Sequence, residues 1–376
     1  MDFTFDDVQR ELRDLARKIL DEQVTTERLL ELDDEGEPFD RRVWKQFADA
    51  NLVGVPLPEA SGGSAYGLME LCVLLEEIGR HVAPLPLLAT VGLGALPIAE
   101  FGTEAQRERY LPAVIEGTSI LTAALQEPGH ADPLTPATVA CRDGSGWRLD
   151  GEKLAVPYAP LADAVLVPAS TGEGTAGVFI VVPGTGGVVV EPATATNREP
   201  QGRLVLSGAR VDDGDVLGDA SAGTDVVDWL HQRAVACYCA TAVGVFERAL
   251  RITATYLSER KQFDRPIATF QGATLRAADA YIDTEAIRVT SWSAIWRLAA
   301  GRDARDELAI AKFWVADGGQ RVAHACQHLH GGMGATTDYP IHRYFRWAKL
   351  LEHTLGGATQ QLLRLGDSIT TTSTGR

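Results

Sequence analysis

Three stretches in the second half of the chain, Trp229 to Tyr256, Gln271 to Leu298 and Glu307 to Leu329, are long, alanine-rich and helical in pattern. A helix lying on a protein surface buries one stripe, but these are apolar around more of their circumference and need neighbours on several sides. A four-helix bundle that also packs against other subunits satisfies that demand. The chain can supply the core, because 45% of its 376 residues are hydrophobic and the length exceeds one ordinary domain.

Upstream the pattern divides again. From Phe5 to about Ile120 apolar residues recur at helical spacing, as in Val8, Leu12, Leu15, Ala16 and Ile19, with Asp6, Asp7 and Glu11 where a helix start favours acids. From about Leu121 to Ala222 short β-branched runs such as Ala164–Val167 and Val178–Val182 are punctuated by Gly, Pro and Asp. The expected class is α+β: an N-terminal helical domain over 1–120, a middle β-barrel or sandwich over 121–222, and a C-terminal four-helix bundle over 223–376.

Composition narrows the partners. A formal net charge of −16 repels phosphate backbones and argues against nucleic acid. No apolar run approaches the roughly 20 residues of a membrane span, and the acidic start Met1-Asp-Phe-Thr-Phe-Asp-Asp lacks the features of a signal peptide. The five cysteines include no C-x-x-C pair, so no zinc or redox site is expected. Reduced thiols in the cytoplasm fit best.

Three local motifs accompany this organisation: Glu59-Ala-Ser-Gly-Gly63 with Glu76-Glu-Ile-Gly-Arg80 behind it, Glu259-Arg-Lys-Gln-Phe-Asp-Arg-Pro-Ile-Ala-Thr-Phe-Gln271, and His328-Leu-His-Gly-Gly-Met-Gly334. Together they resemble the acyl-CoA dehydrogenase family over nearly the whole chain. The resemblance implies an FAD enzyme that desaturates an acyl-CoA thioester, with a carboxylate taking the α-proton while flavin takes the β-hydride. It also implies an electron-transfer flavoprotein or similar acceptor.

In similar proteins FAD spans a subunit interface, and Arg260, Phe263, Ile267 and Gln271 match the turn that reaches a neighbour's cofactor. Arg suits a pyrophosphate because its fork donates parallel charge-assisted bonds; a surface ion pair of Arg260 with Glu259 or Asp264 is the alternative. Gly331 and Gly332 match the adenosine-side loop, and Gln360 follows the family's base motif. His328 stands where relatives carry Gln, either as a cofactor donor or as a structural histidine. Asp264 replaces a Gly, which bears on the local turn.

The match fails where the chemistry is expected. The two positions at which the family carries its base are Gly356 and Gln232, and neither accepts a carbon-bound proton. Gln126-Glu-Pro-Gly-His-Ala-Asp132 lacks the family's second Gly and its Ser, and Ala155-Val156-Pro157 replaces an aromatic–hydroxyl stretch along the flavin. This split resembles the auxiliary, base-lacking subunits of actinobacterial heteromeric sterol side-chain dehydrogenases. It implies a second subunit carrying the catalytic Glu. A homotetramer with a displaced base at Glu352 or His353, or a non-enzymatic acyl-CoA-binding scaffold, are the alternatives.

Overall fold

The computed structural model describes residues 4–130, 132–172, 174–219 and 223–374, with side chains to residue 370. Ala131 of the 126–132 stretch, and residues 220–222 at the expected end of the β domain, lie outside the described residues. Helices α1 (Asp7–Gln23), α2 (Thr26–Glu35), α3 (Arg41–Asp49), α4 (Leu68–His81), α5 (Leu96–Phe101) and α6 (Glu104–Ile115) come first. Strands β1 (Leu121–Ala123), β2 (Val139–Asp143), β3 (Gly146–Pro157) and β4 (Ala164–Gly172) follow. Next are β5 (Thr175–Val181), β6 (Val188–Thr194), β7 (Pro200–Asp212) and β8 (Val216–Leu217). The long α7 (Gly223–Glu259) leads to a hairpin of β9 (Lys261–Gln262) and β10 (Arg265–Pro266). Helices α8 (Gln271–Ala299), α9 (Arg305–Leu329), α10 (Ile341–His353) and α11 (Ala358–Thr374) complete the chain. Helix, β, helix is the order expected.

Local chemistry sets the helix starts. Asp6 and Thr103 each accept from the backbone N–H of the glutamine three residues on, Gln9 and Gln106, whose side chains bond back to the cap. These reciprocal bonds satisfy two of the four amides a helix start leaves open.

By density of contacts the chain forms two compact units, one of residues 38–71 and 84–234, the other of 1–37, 72–83 and 235–376. The first holds the sheet, eight strands ordered β6-β7-β3-β2-β4-β5-β8 with β1 parallel to β4. Strands β3 and β5 are separated by β2 and β4, which in a flat sheet would put them roughly 14 Å apart. Yet the rings of Trp147 on β3 and Phe179 on β5 meet at 5.3 Å. The sheet therefore curls over its own core of Leu149, Val165, Val167, Val181, Leu204 and Leu206.

One ion pair is sealed in this unit. Lys153 Nζ donates to Glu127 Oε1 and to Pro168 O, both at 2.6 Å. Glu127 also accepts from the amides of Ala137 and Thr138 at 2.5 and 2.9 Å and from the Thr138 hydroxyl at 2.6 Å. Burial alone would raise the Glu127 carboxyl, but Lys153 and these donors hold it below the usual range. A single carboxylate thus ties both ends of the 128–136 loop.

In the second unit α4 crosses α7 at a place only glycines allow. A Cβ on Gly79 would lie 2.0 Å from Thr241 O, and one on Gly244 would lie 1.9 Å from Glu76 O. Beside the crossing, Arg80 reaches Glu247 at 2.7 Å and Glu76 and Glu77 at 3.3 Å, and Arg17 of α1 pairs with Glu77 at 2.6 Å. Trp292 of α8 donates to Glu76 Oε2 at 2.9 Å, and the Tyr344 hydroxyl of α10 donates to Arg80 O at 2.8 Å. The network joins five helices.

Burial pushes Glu76 up to about 7 against the pull of Arg80, where an ordinary glutamate titrates near 4.5. The folded state therefore holds a proton that the unfolded chain has lost, and the stability this brings fades as pH rises through 7. Glu76→Gln should gain stability over the parent chain, on the order of 1–3 kcal/mol, as pH goes from about 5 to about 8. Urea midpoints at the two pH values measure it. A difference independent of pH would mean that Glu76 is ionised throughout.

Candidate functional site

The turn after α7 is built against backbone preference. β9 and β10 pair as Gln262↔Arg265 and Lys261↔Pro266, leaving Phe263 and Asp264 as a two-residue loop. Both have positive φ, +52° and +60°. That is the requirement of a type I′ hairpin turn, in which Asp is tolerated and a bulky aromatic is strained. The Gly-to-Asp departure thus keeps a tight turn. Phe263 is 88% exposed, and among the described residues its one ring neighbour is Phe270 at 6.2 Å, edge-on.

Arg260 and Gln271 flank this turn in the chain. Arg260 is exposed, and among the described residues its guanidinium pairs with neither Glu259 nor Asp264. Its backbone is fixed on both sides, by Arg260 N to Tyr256 O and Ile267 N to Arg260 O, each 2.9 Å. Gln271 is exposed at the first residue of α8, whose N-cap, Phe270, offers no side-chain acceptor to the open amides. A free cation beside an uncapped helix start favours an anion such as a phosphate.

The Gly-Gly loop lies in the same unit. Gly331 has φ +57°, and an added Cβ at Gly331 or Gly332 would meet no atom within 4 Å, so the chain itself does not fill the space before them. His328 is exposed there. The sequence reading passed over His330, which is buried at 2% exposure. Its Nδ1 bonds to Cys326 O at 2.8 Å, while its Nε2 is a buried polar atom with no partner among the described residues. The free guanidinium, the bare aromatic and the open glycine backbone fit the diphosphate and adenosine half of a dinucleotide.

The two positions expected to carry a base are differently made. Leu355 and Gly356 have φ +57° and +101°. Buried Gln361 donates to Leu355 O at 3.1 Å and Gly356 O at 3.2 Å. Gln360 Oε1 accepts from Gly357 N at 3.1 Å, so part of its amide serves the turn. Lys312, fully buried, donates to Leu351 O and Glu352 O at 3.0 and 3.2 Å and closes the end of α10. Glu352 pairs with Lys349 at 2.8 Å and lies 3.8 Å from the exposed His353.

In the sheet unit, Gln232 donates to Asp228 Oδ2 at 2.9 Å, which places a carboxylate one helical turn before the vacant base position. Asp228 lies outside the motif, so nothing in the motif itself points to it. Val156 and Pro157 are buried in the sheet. Only Ala155 faces outward, at φ +50° on a bulge, and it offers a methyl group. Among the described residues no cluster of three His, Cys, Asp or Glu could hold a metal ion, and no helix is long and apolar enough to cross a membrane.

Comparison with known proteins gives a consistent answer. The pattern of the acyl-CoA dehydrogenase N-terminal domain matches residues 6–118, and that of the C-terminal domain matches residues 222–369. Acyl-CoA dehydrogenase FadE27 of Mycobacterium tuberculosis is 40% identical over 99% of this chain and 100% of that protein. The ChsE4–ChsE5 complex from the same organism contains a chain of 40% identity and TM-score 0.93, covering 98% of this chain and 99% of that one. A variant of the Tcur3481–Tcur3483 steroid ACAD aligns at 43% identity and TM-score 0.91, again covering 98% and 99%.

The turn at Gly356 resists a side chain. A Cβ there would lie 2.7 Å from Gln360 Oε1 and 2.9 Å from Gln361 Nε2, the groups that brace it. Gly356→Glu should therefore cost about 1–3 kcal/mol of stability, as expected for a left-handed non-glycine residue in a fixed turn. Chemical denaturation tests this, and an unchanged midpoint would show that the turn relaxes freely.

Proposed function

The chain belongs to the acyl-CoA dehydrogenase family, and from that premise we propose that it is the base-lacking subunit of a heteromeric enzyme, completing an FAD site whose catalytic Glu comes from a second subunit. FAD is the cofactor of the family. When bound, it supplies the acceptor for the β-hydride.

The observation that carries the reading is Phe263, strained at φ +52° and 88% exposed, beside an Arg260 whose guanidinium has no partner among the described residues. A strained conformation persists where the surroundings impose it, and such sites cluster at ligand clamps. Phe263 would cover the cofactor, Arg260 would grip its diphosphate, and Ile267 and Gln271 would line the same turn. His328, Gly331 and Gly332 would meet the adenosine half, and the remaining Gln360 donor would serve the cofactor from the turn after α10. Gly356 and Gln232 hold no proton acceptor, so the α-proton would leave to the partner's carboxylate.

The relatives support the finer points. One is described as a steroid ACAD and another as a two-component complex. A steroid side-chain thioester is accordingly the proposed acyl-CoA, with an electron-transfer flavoprotein or similar acceptor receiving the electrons. The free cysteines support a reducing compartment, the cytoplasm.

Co-purified with its partner in a two-fold assembly, the chain should yield about one flavin per two chains, since half the interfaces carry both halves of a site. Arg260→Ala should weaken flavin retention by about 1.5–3 kcal/mol without dissolving the assembly. Flavin absorbance against total protein after gel filtration reads both. One flavin per chain, or unchanged flavin in the variant, would overturn the assignment.

A further inference from the structure

Two segments of the proposed cofactor face are far apart in sequence, the Arg260 turn and the Gly331–Gly332 loop. Each ends on an aromatic ring, and the rings meet. Tyr256 lies one helical turn before Arg260 and accepts the Arg260 amide on its carbonyl at 2.9 Å. His330 immediately precedes Gly331. Its imidazole stacks on Tyr256 with centroids 4.5 Å apart and planes 28° from parallel. Tyr339 closes the group, 5.1 Å from His330 and 6.0 Å from Tyr256. An unbroken line of contacts thus runs from the Gly-Gly backbone through His330, Tyr256 and Arg260 to Ile267.

We infer that His330 is a positioning residue, whose stack on Tyr256 holds the Arg260 turn and the Gly331–Gly332 loop in one register so that both grip the same cofactor. This rests on the proposed function above. Three features support it. The ring is almost wholly buried, so it is not itself a surface ligand group. Burial holds it below the ordinary histidine range against the Cys326 carbonyl bond, which favours the neutral ring. Its neighbours face it with few charges: Tyr256 and Tyr339 are phenols, and from α9 the Cys326 carbonyl accepts a hydrogen bond from Nδ1–H.

The test uses the assembled complex and measures the rate of flavin dissociation by recovery of fluorescence, alongside the melting temperature. His330→Leu removes the stack and should speed dissociation roughly tenfold, while His330→Phe keeps an aromatic face and should stay within about threefold. Where His330→Leu fails to fold, Tyr256→Leu against Tyr256→Phe poses the same question from the other ring. Equal dissociation rates for the Leu and Phe variants, or a lowered melting temperature with unchanged dissociation, would overturn the inference. Arg260→Ala run in parallel separates the two levels. If it leaves dissociation unchanged, the cofactor assignment itself fails; if it speeds dissociation while His330→Leu does not, only the role of His330 is lost.

Discussion

The close crossing of α4 and α7 is the constraint on which the helical unit depends. Gly79 and Gly244 let two backbones touch with no side chain between them. The approach brings Glu76, Glu77, Arg80 and Glu247 into one group, the first two buried and the others half-buried. Three carboxylates around one guanidinium leave an excess of negative charge, and Arg17 and Trp292 supply the further donors. Removing one partner of such a group is far more costly than its net worth, because the others stay buried. From this anchor α7 runs out to Tyr256 and Arg260, and Tyr344 links α10 back to Arg80.

The two ends of the proposed site differ in how they are held. The Arg260 turn is strained but presents its groups outward, with Phe263 bare to solvent. The Gly356 turn also holds one non-glycine residue, Leu355, at positive φ, yet Lys312 and Gln361 direct four bonds inward to its carbonyls and those of α10. Buried donors spent on backbone make a turn rigid; they do not make it reactive. The contrast agrees with a chain whose contribution lies in reaching outward.

Much of this was legible in the sequence. Long alanine-rich periodic stretches and short β-branched runs fixed the order of helix, sheet and helix, since burial periodicity is a local property. Arg260, Phe263 and the Gly pair stood out by motif. What escaped depended on tertiary packing. His328 and His330 lie two residues apart in one motif, and only the fold decides that the first is exposed and the second buried. The type I′ turn was hidden because Phe263-Asp264 contains no glycine, the usual mark of positive φ. Nothing in the apolar run around Lys312 announced a lysine that caps another helix, and the curl of the sheet rests on a Trp147–Phe179 contact between non-neighbouring strands.

The Glu127–Lys153 pair has a consequence in time as well as space. The amide protons of Ala137 and Thr138 point at a carboxylate that is itself held by a buried ammonium. Neither charge can be exposed singly without leaving the other stranded in a dry interior. The 128–136 loop looks from outside like an ordinary surface excursion, yet its far end is locked to the strands beneath. Hydrogen exchange at Ala137 and Thr138 should then follow opening of the sheet core and not the local breathing of a loop, so the segment belongs kinetically to the sheet.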